Sequence, residues 1–353
     1  MSMVKSAQFH GNRLKRLTCK SRTSEKRWLK RRRFLFVFGF KAVFDFLYER
    51  TCYTKAIIIK ITERSRFRNM KTRRSDRLVD MTRYLLERPR TLVSLTQFAE
   101  LYESAKSSIS EDLTILKRTF HERGIGLLET IPGAAGGARF TPYMVESEAA
   151  DFVASLVNAI DDETRVLPGG YVYLSDLLGQ PWFLQRIGRL IATQYLREPI
   201  DAVMTAATKG VPVAQAVAEQ LNVPFVIVRN DTKVTEGPTM SVNYVTGQSQ
   251  RLEKMELSRR SLPMGSRVLI VDDFMKAGGT IRGMASLVKE FEGQVVGVAV
   301  VAEGRVEHRV IDKYTSLVHV DTNKDDGIIK VKAGNYAEEI YGEGSPAEIS
   351  SAD

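Results

Sequence analysis

Thiols are nearly missing from this sequence: 353 residues hold two cysteines, Cys19 and Cys52. Both fall before residue 70, so the rest of the chain can form neither a disulfide framework nor a cysteine-based metal site. Histidine is almost as sparse. His10, His121, His308 and His319 are scattered without ligand spacing, which argues against zinc, and no metal is expected to be fixed by the protein itself. Phe34 to Phe40 is an apolar run of seven residues that ends at Lys41, too short to span a bilayer. It follows the cluster Lys30, Arg31, Arg32 and Arg33, but no small-residue cleavage site follows it, as a signal peptide would require. These absences point to a protein of a reducing compartment, the cytoplasm, with no membrane partner.

A hydrophobic content of 43% is that of a globular chain, and the length allows two domains. The formal charge of +10 is unevenly placed. Residues 1–69 carry 19 Lys plus Arg against 4 Asp plus Glu, which leaves 33 basic against 38 acidic in the remainder. Global basicity is therefore no argument for function. The leader can be a disordered basic tail, a membrane-surface segment, or upstream sequence translated from a misassigned start. The last is preferred, because Met70 immediately precedes a well-patterned domain.

From residue 70 to 142 the pattern is that of a winged helix-turn-helix. Ser75 is a candidate N-cap, and Leu78, Met81 and Leu85 share one helical face until Arg88 and Pro89 stop it. Ser94 with Gln97, and Ser108 with Glu111, have capping-box spacing and open two further helices. Ile109, Leu113, Leu116 and Phe120 give the third an apolar stripe. Two strand-like runs, 126–131 and 138–141, flank a Gly-rich turn, the outline of a wing. The groups expected to contact duplex DNA are Lys106, Ser107, Ser110, Lys117 and Arg118, with Thr114, on the third helix, Arg139 on the wing, and Arg73, Arg74 and Arg77 at the first helix. A small helical interaction module is the bland alternative. Residues 70–142 hold 12 basic against 9 acidic groups while 143–353 hold 21 against 29, so the basic excess sits on the reader.

Residues 143–345 read as α/β, followed by a disordered tail at 346–353. Helices are expected over 147–160 and 182–196, with a Gly-rich break at 167–171 between them. Two strand-helix-strand units then follow, 200–228 and 267–301, implying a doubly wound parallel sheet with helices on both faces and ligands at the carboxyl ends of its strands. The chemistry concentrates at the second unit. Asp272 and Asp273 stand at a strand end, placed to accept hydrogen bonds from the vicinal hydroxyls of a ribose. Phe274, Met275, Lys276, Ala277, Gly278, Gly279 and Thr280 lead into a helix whose small side chains let backbone N–H groups approach a phosphate. Tyr171 can stack on the base of a competing nucleotide, or be a core tyrosine.

This segment is similar to the phosphoribosyl pyrophosphate (PRPP) motif of the type I phosphoribosyltransferases, and Ala207, Thr208, Lys209 and Gly210 resemble that family's pyrophosphate loop. The resemblance implies acidic contacts to ribose, a loop for the 5-phosphate, and backbone and lysine contacts to a diphosphate that usually carries Mg²⁺. The polar stretch 230–261 resembles the family's flexible lid. Taken with the winged helix, residues 70 to about 345, including Ser258, Arg259, Arg260 and Ser261, resemble the purine operon repressors of Gram-positive bacteria. That implies a homodimer on double-stranded operator DNA whose transferase-like domain senses PRPP without catalysis and without a required cofactor. PRPP is expected to lower operator affinity. Phe274 and Met275 add bulk where catalytic members have small residues, and 323–341 shows no base-recognition constellation. An active purine phosphoribosyltransferase and an RNA-binding attenuator remain as alternatives.

Overall fold

The computed structural model describes residues 73–133, 136–230, 237–245, 252–322 and 329–343. The leader and the tail from 346, both singled out in the sequence, lie outside the described residues.

Helices α1 (Arg74–Leu86), α2 (Leu95–Leu101) and α3 (Lys106–Glu122) surround a core of Met81, Leu85, Phe98, Ile109, Leu113, Leu116 and Phe120. Strand β1 (Leu92–Ser94) joins the wing strands β2 (Leu127–Ile131) and β3 (Gly137–Thr141) in the order β1-β3-β2. Phe120 and Phe140 meet edge to face at 5.5 Å, so the wing is packed on α3. Ser94 caps α2 as expected, accepting from the Gln97 amide at 3.1 Å. The other two start signals mislead. α1 begins after Arg73 and α3 after Ala105, neither with a side-chain cap, which puts Ser75 and Ser108 inside their helices. Strand β1 was not foreseen.

The second lobe is a six-stranded sheet in the order β13-β12-β11-β10-β6-β7, and its members are β6 (Ala202–Ala206), β7 (Phe225–Val228), β10 (Arg267–Met275), β11 (Gln294–Gly304), β12 (Thr315–Thr322) and β13 (Ile329–Ala333). The pairings are parallel, as the doubly wound pattern implied, except for the antiparallel edge of β12 with β13. Alternation along β10 sends Leu269 and Val271 into one core and Val268 and Ile270 into the other. The first is covered by α4 (Glu146–Ile160), α5 (Pro181–Gln194) and α6 (Gly210–Leu221), with the short α8 (Tyr336–Tyr341) beside them. The second is covered by α7 (Gly279–Glu290) and by a hairpin of β8 (Thr239–Val245) and β9 (Leu252–Ser258). Among its described residues the expected lid over 230–261 is largely paired strand, because Met240, Val242 and Tyr244 alternate inward onto that core.

From β6 the chain crosses to β7 on one side, and from β10 it crosses to β11 on the other. The carboxyl ends of β6 and β10 are thus the topological switch point, where such sheets hold ligands. The lobes are joined by arginines. Arg90, held at φ 57°, donates to the carbonyls of Tyr195, Leu196 and Glu198 at 2.8–3.1 Å beyond the end of α5. Arg189 of α5 donates to the carbonyls of Gly124 and Tyr143 and pairs with Glu148. Asn222, the C-cap of α6, donates to Thr91 at 3.0 Å.

Candidate functional site

The sequence-selected residues of the second lobe converge on the switch point. Two adjoining cavities, of about 530 and 320 Å³, share Tyr171, Ala206, Ala207, Asp272, Phe274 and Thr280 in their walls and form one cleft. Thr208, Lys209 and Asp273 line the larger part, and Met275 to Gly279 line the smaller. A groove of about 760 Å³ lies along the lobe seam, but its Arg189 is spent on Gly124, Tyr143 and Glu148 and it contains no glycine-lined helix start.

Asp272 is 8% exposed, and its Oδ1 accepts the Asp273 amide at 3.0 Å. Burial first, then the neighbouring Asp273 carboxylate, pushes its pKa well above the usual carboxylate range. Asp273 is also pushed up by burial, while Lys209 pulls it back. Two acids held this way lack only donors or a cation from a ligand to favour their charged form. Gly210 makes the arrangement possible, since a Cβ there would stand 2.6 Å from Asp272 Oδ1. Gly210 is accordingly buried as the first residue of α6, while Ala207, Thr208 and Lys209 are exposed to the cleft.

The strand β10 runs through Met275, past the acid pair expected at its end, so the loop proper is Lys276 to Gly278. Gly278 caps α7 at φ 87°, a left-handed conformation that suits glycine. No side chain caps α7 and no acid stands in its first turn, which leaves its leading N–H groups aimed at the small lobe of the cleft. Lys276 contacts the Gly169 carbonyl and lies 3.8 Å from the Tyr171 ring centroid. Gly169 sits in the turn between strands β4 (Val166–Leu167) and β5 (Tyr171–Val172). Tyr171 is 52% exposed and 6.1 Å from the Phe274 ring, an aromatic wall of the cleft rather than a core residue.

Sequence reasoning missed the hairpin's contribution. Tyr244 donates to Glu253 at 2.8 Å, and both line the cleft with Asn230. Burial, then Glu253, pushes the Tyr244 hydroxyl up to about 12. The period-two alternation of 239–245 was the available signal.

On the first lobe, Lys106, Ser107, Ser110, Thr114, Lys117 and Arg118 are exposed along α3, and Arg73 is exposed at its helix cap. Arg139 is half-buried and pairs with Glu129 at 2.8 Å. Arg74 is divided between Asp112 at 2.9 Å and Glu111 at 3.4 Å. Arg77 requires a correction. It is 8% exposed, bonded to Asp112 at 2.5 Å and to Ser104 at 3.2 Å, and its charge neutralises a buried carboxylate instead of facing DNA.

Among the described residues no cluster of three or more His, Cys, Asp or Glu is placed to hold a metal ion, and no helix is long and apolar enough to cross a membrane.

Residues 73–142 match the family described as bacterial purine repressor, N-terminal, and residues 174–332 match the phosphoribosyl transferase domain. The purine biosynthesis transcriptional repressor PurR of Bacillus subtilis is 54% identical over 269 residues, covering 76% of this chain and 94% of that protein. The purine biosynthesis transcriptional activator PurR of Lactococcus lactis is 53% identical over 250 residues, covering 70% and 92%. A xanthine phosphoribosyltransferase of Deinococcus deserti is 28% identical over 158 residues, covering 44% and 82%. With a winged helix in front of a transferase-type sheet, and identity above half across nearly the full length of such regulators, this chain belongs to the family of purine biosynthesis transcriptional regulators.

Proposed function

We propose that this protein is a DNA-binding repressor of purine biosynthesis genes whose cleft senses PRPP, with PRPP lowering operator affinity. The observation that carries this reading is the cleft itself: paired buried acids and a glycine-capped helix start at one switch point, in the same compact unit as a winged helix. In it Asp272 and Asp273 accept from the ribose hydroxyls, the loop 276–280 holds the 5-phosphate, and Ala207 to Gly210 meet the diphosphate. Any Mg²⁺ arrives with that diphosphate. A ligand shifts the operator equilibrium only by its differential affinity for the free and DNA-bound forms, so PRPP must favour the free form. The protein is expected to bind its operator as a homodimer, and Tyr171 offers a ring to the base of a competing nucleotide.

Asp273→Ala is expected to weaken PRPP binding, measured by calorimetry, while operator binding without PRPP stays unchanged. The sign of regulation is read by in-vitro transcription from a purine promoter. Added protein should lower transcript yield and PRPP should restore it, whereas a rise on adding protein would assign the activator sign. The cleft is proposed to sense rather than catalyse, because Phe274 and Met275 line it with bulk where catalytic members of the resembled family have small residues. Pyrophosphate release at enzymatic rates from PRPP and a purine base would overturn that part.

A further inference from the structure

A phosphate-binding loop works only if its amides face the ligand, and the irregular segment 305–314 supplies a reason why this one does. Three consecutive residues there brace three consecutive residues of the loop. Arg309 Nε donates to the Lys276 carbonyl at 3.2 Å, Val310 N–H donates to the Ala277 carbonyl at 2.9 Å, and Ile311 fills the space beside Gly278, where a Cβ would meet its Cγ1 at 2.8 Å. In a planar trans peptide the N–H points opposite to the C=O. Tying the carbonyls of Lys276 and Ala277 to the brace therefore turns the amides of Ala277 and Gly278 the other way, into the cleft that both residues line.

Arg309 is itself held. Its guanidinium donates to the Gly304 carbonyl at 2.9 Å and contacts Glu303 and Tyr314. Glu303 is 6% exposed and accepts from Tyr314 at 2.7 Å and from Ser316 at 2.9 Å, with His319 at 3.5 Å. A buried carboxylate with this many donors fixes one orientation of the arginine fork, and only a fork can reach the carbonyls of Lys276 and Gly304 together. We propose that Arg309, oriented by Glu303, is a positioning residue that presets the 5-phosphate loop and gives the cleft its selectivity for a phosphorylated sugar. It does not touch the ligand.

This inference rests on the phosphosugar reading of the cleft, and the test separates the two. Ribose 5-phosphate uses the braced loop, whereas pyrophosphate uses the loop 207–210, which has no contact with Arg309. Both are titrated calorimetrically into the full chain and into Arg309→Lys, which keeps the charge but loses the fork. Ribose 5-phosphate is expected to bind about tenfold more weakly or worse, the scale of one lost charge-assisted hydrogen bond, with pyrophosphate within about twofold. Equal losses for both ligands, or no loss for either, overturn the proposal. If Arg309→Lys does not fold, Glu303→Gln is read instead. It keeps one acceptor oxygen for Tyr314 or Ser316 but removes the charge that orients Arg309, and it should show the same selective loss to a smaller degree. Failure of the unaltered protein to bind either ligand would remove the phosphosugar reading itself.

Discussion

On α3, Lys106, Lys117 and Arg118 stand in solvent on a core that is complete without them, whereas within β10 Asp272 is part of what is buried. The α3 face can exchange side chains at little cost to the fold, since its exposed cations stand outside the core and are proposed to act through phosphate neutralisation alone. The cleft cannot, because its polar groups, its left-handed glycine and its brace hold one another in place. Affinity and stability should therefore separate on the first surface and move together at the second.

Arg77 sharpens this most, since it belongs to the first lobe yet behaves like the cleft. Arg77→Ala leaves Asp112 buried with only the half-exposed Arg74 as a partner, and a loss of about 3–5 kcal/mol is expected in denaturant unfolding. Stability within experimental error of the unaltered protein would return Arg77 to the exposed class. Next in size is Gly278→Ala. It places a Cβ at φ 87° against Ile311, for a loss of about 1–3 kcal/mol together with weaker ribose 5-phosphate binding. Loss of one without the other would break the claim that the cleft couples them.

Lys117→Ala combined with Arg118→Ala should do the reverse. Operator affinity falls and the slope of log affinity against log salt flattens by roughly 1.8, about 0.9 for each lost phosphate contact, while the melting temperature holds. Normal operator binding by this variant would move the DNA face elsewhere.

These contrasts follow what could be read from residues alone. Apolar periodicity located Ile109, Leu113, Leu116 and Phe120 on the core face of α3, and the strand, acid pair and glycines of 267–280 located the cleft. Local polar spacing did worse. Ser75 and Ser108 have the right neighbours for caps, but α1 and α3 start earlier, where Arg74 and Arg77 can reach Asp112. A buried ion pair is invisible to a pattern that equates charge with exposure. The same blindness hid Glu303 and Arg309, which sit on a strand end and an irregular segment with no period to betray them. The hairpin was hidden by its polar outer face, although Met240, Val242 and Tyr244 carried the alternation.

The smallest effect concerns pH. Asp272 has its pKa raised in the folded chain, so its stabilising contribution is full below the ordinary carboxylate pKa and is lost as pH rises through the raised value. Without ligand, the protein should lose stability on going from mildly acidic to neutral pH, and Asp272→Asn should flatten that dependence while abolishing sugar binding. An unchanged pH profile of the melting temperature in Asp272→Asn would assign the dependence to other groups.

The central claim is that the cleft and the DNA reader are linked, and operator affinity across a PRPP titration of the full chain tests it directly. Operator binding should weaken progressively as PRPP is added and stay constant in Asp273→Ala. An operator affinity indifferent to PRPP in the unaltered protein would contradict the account.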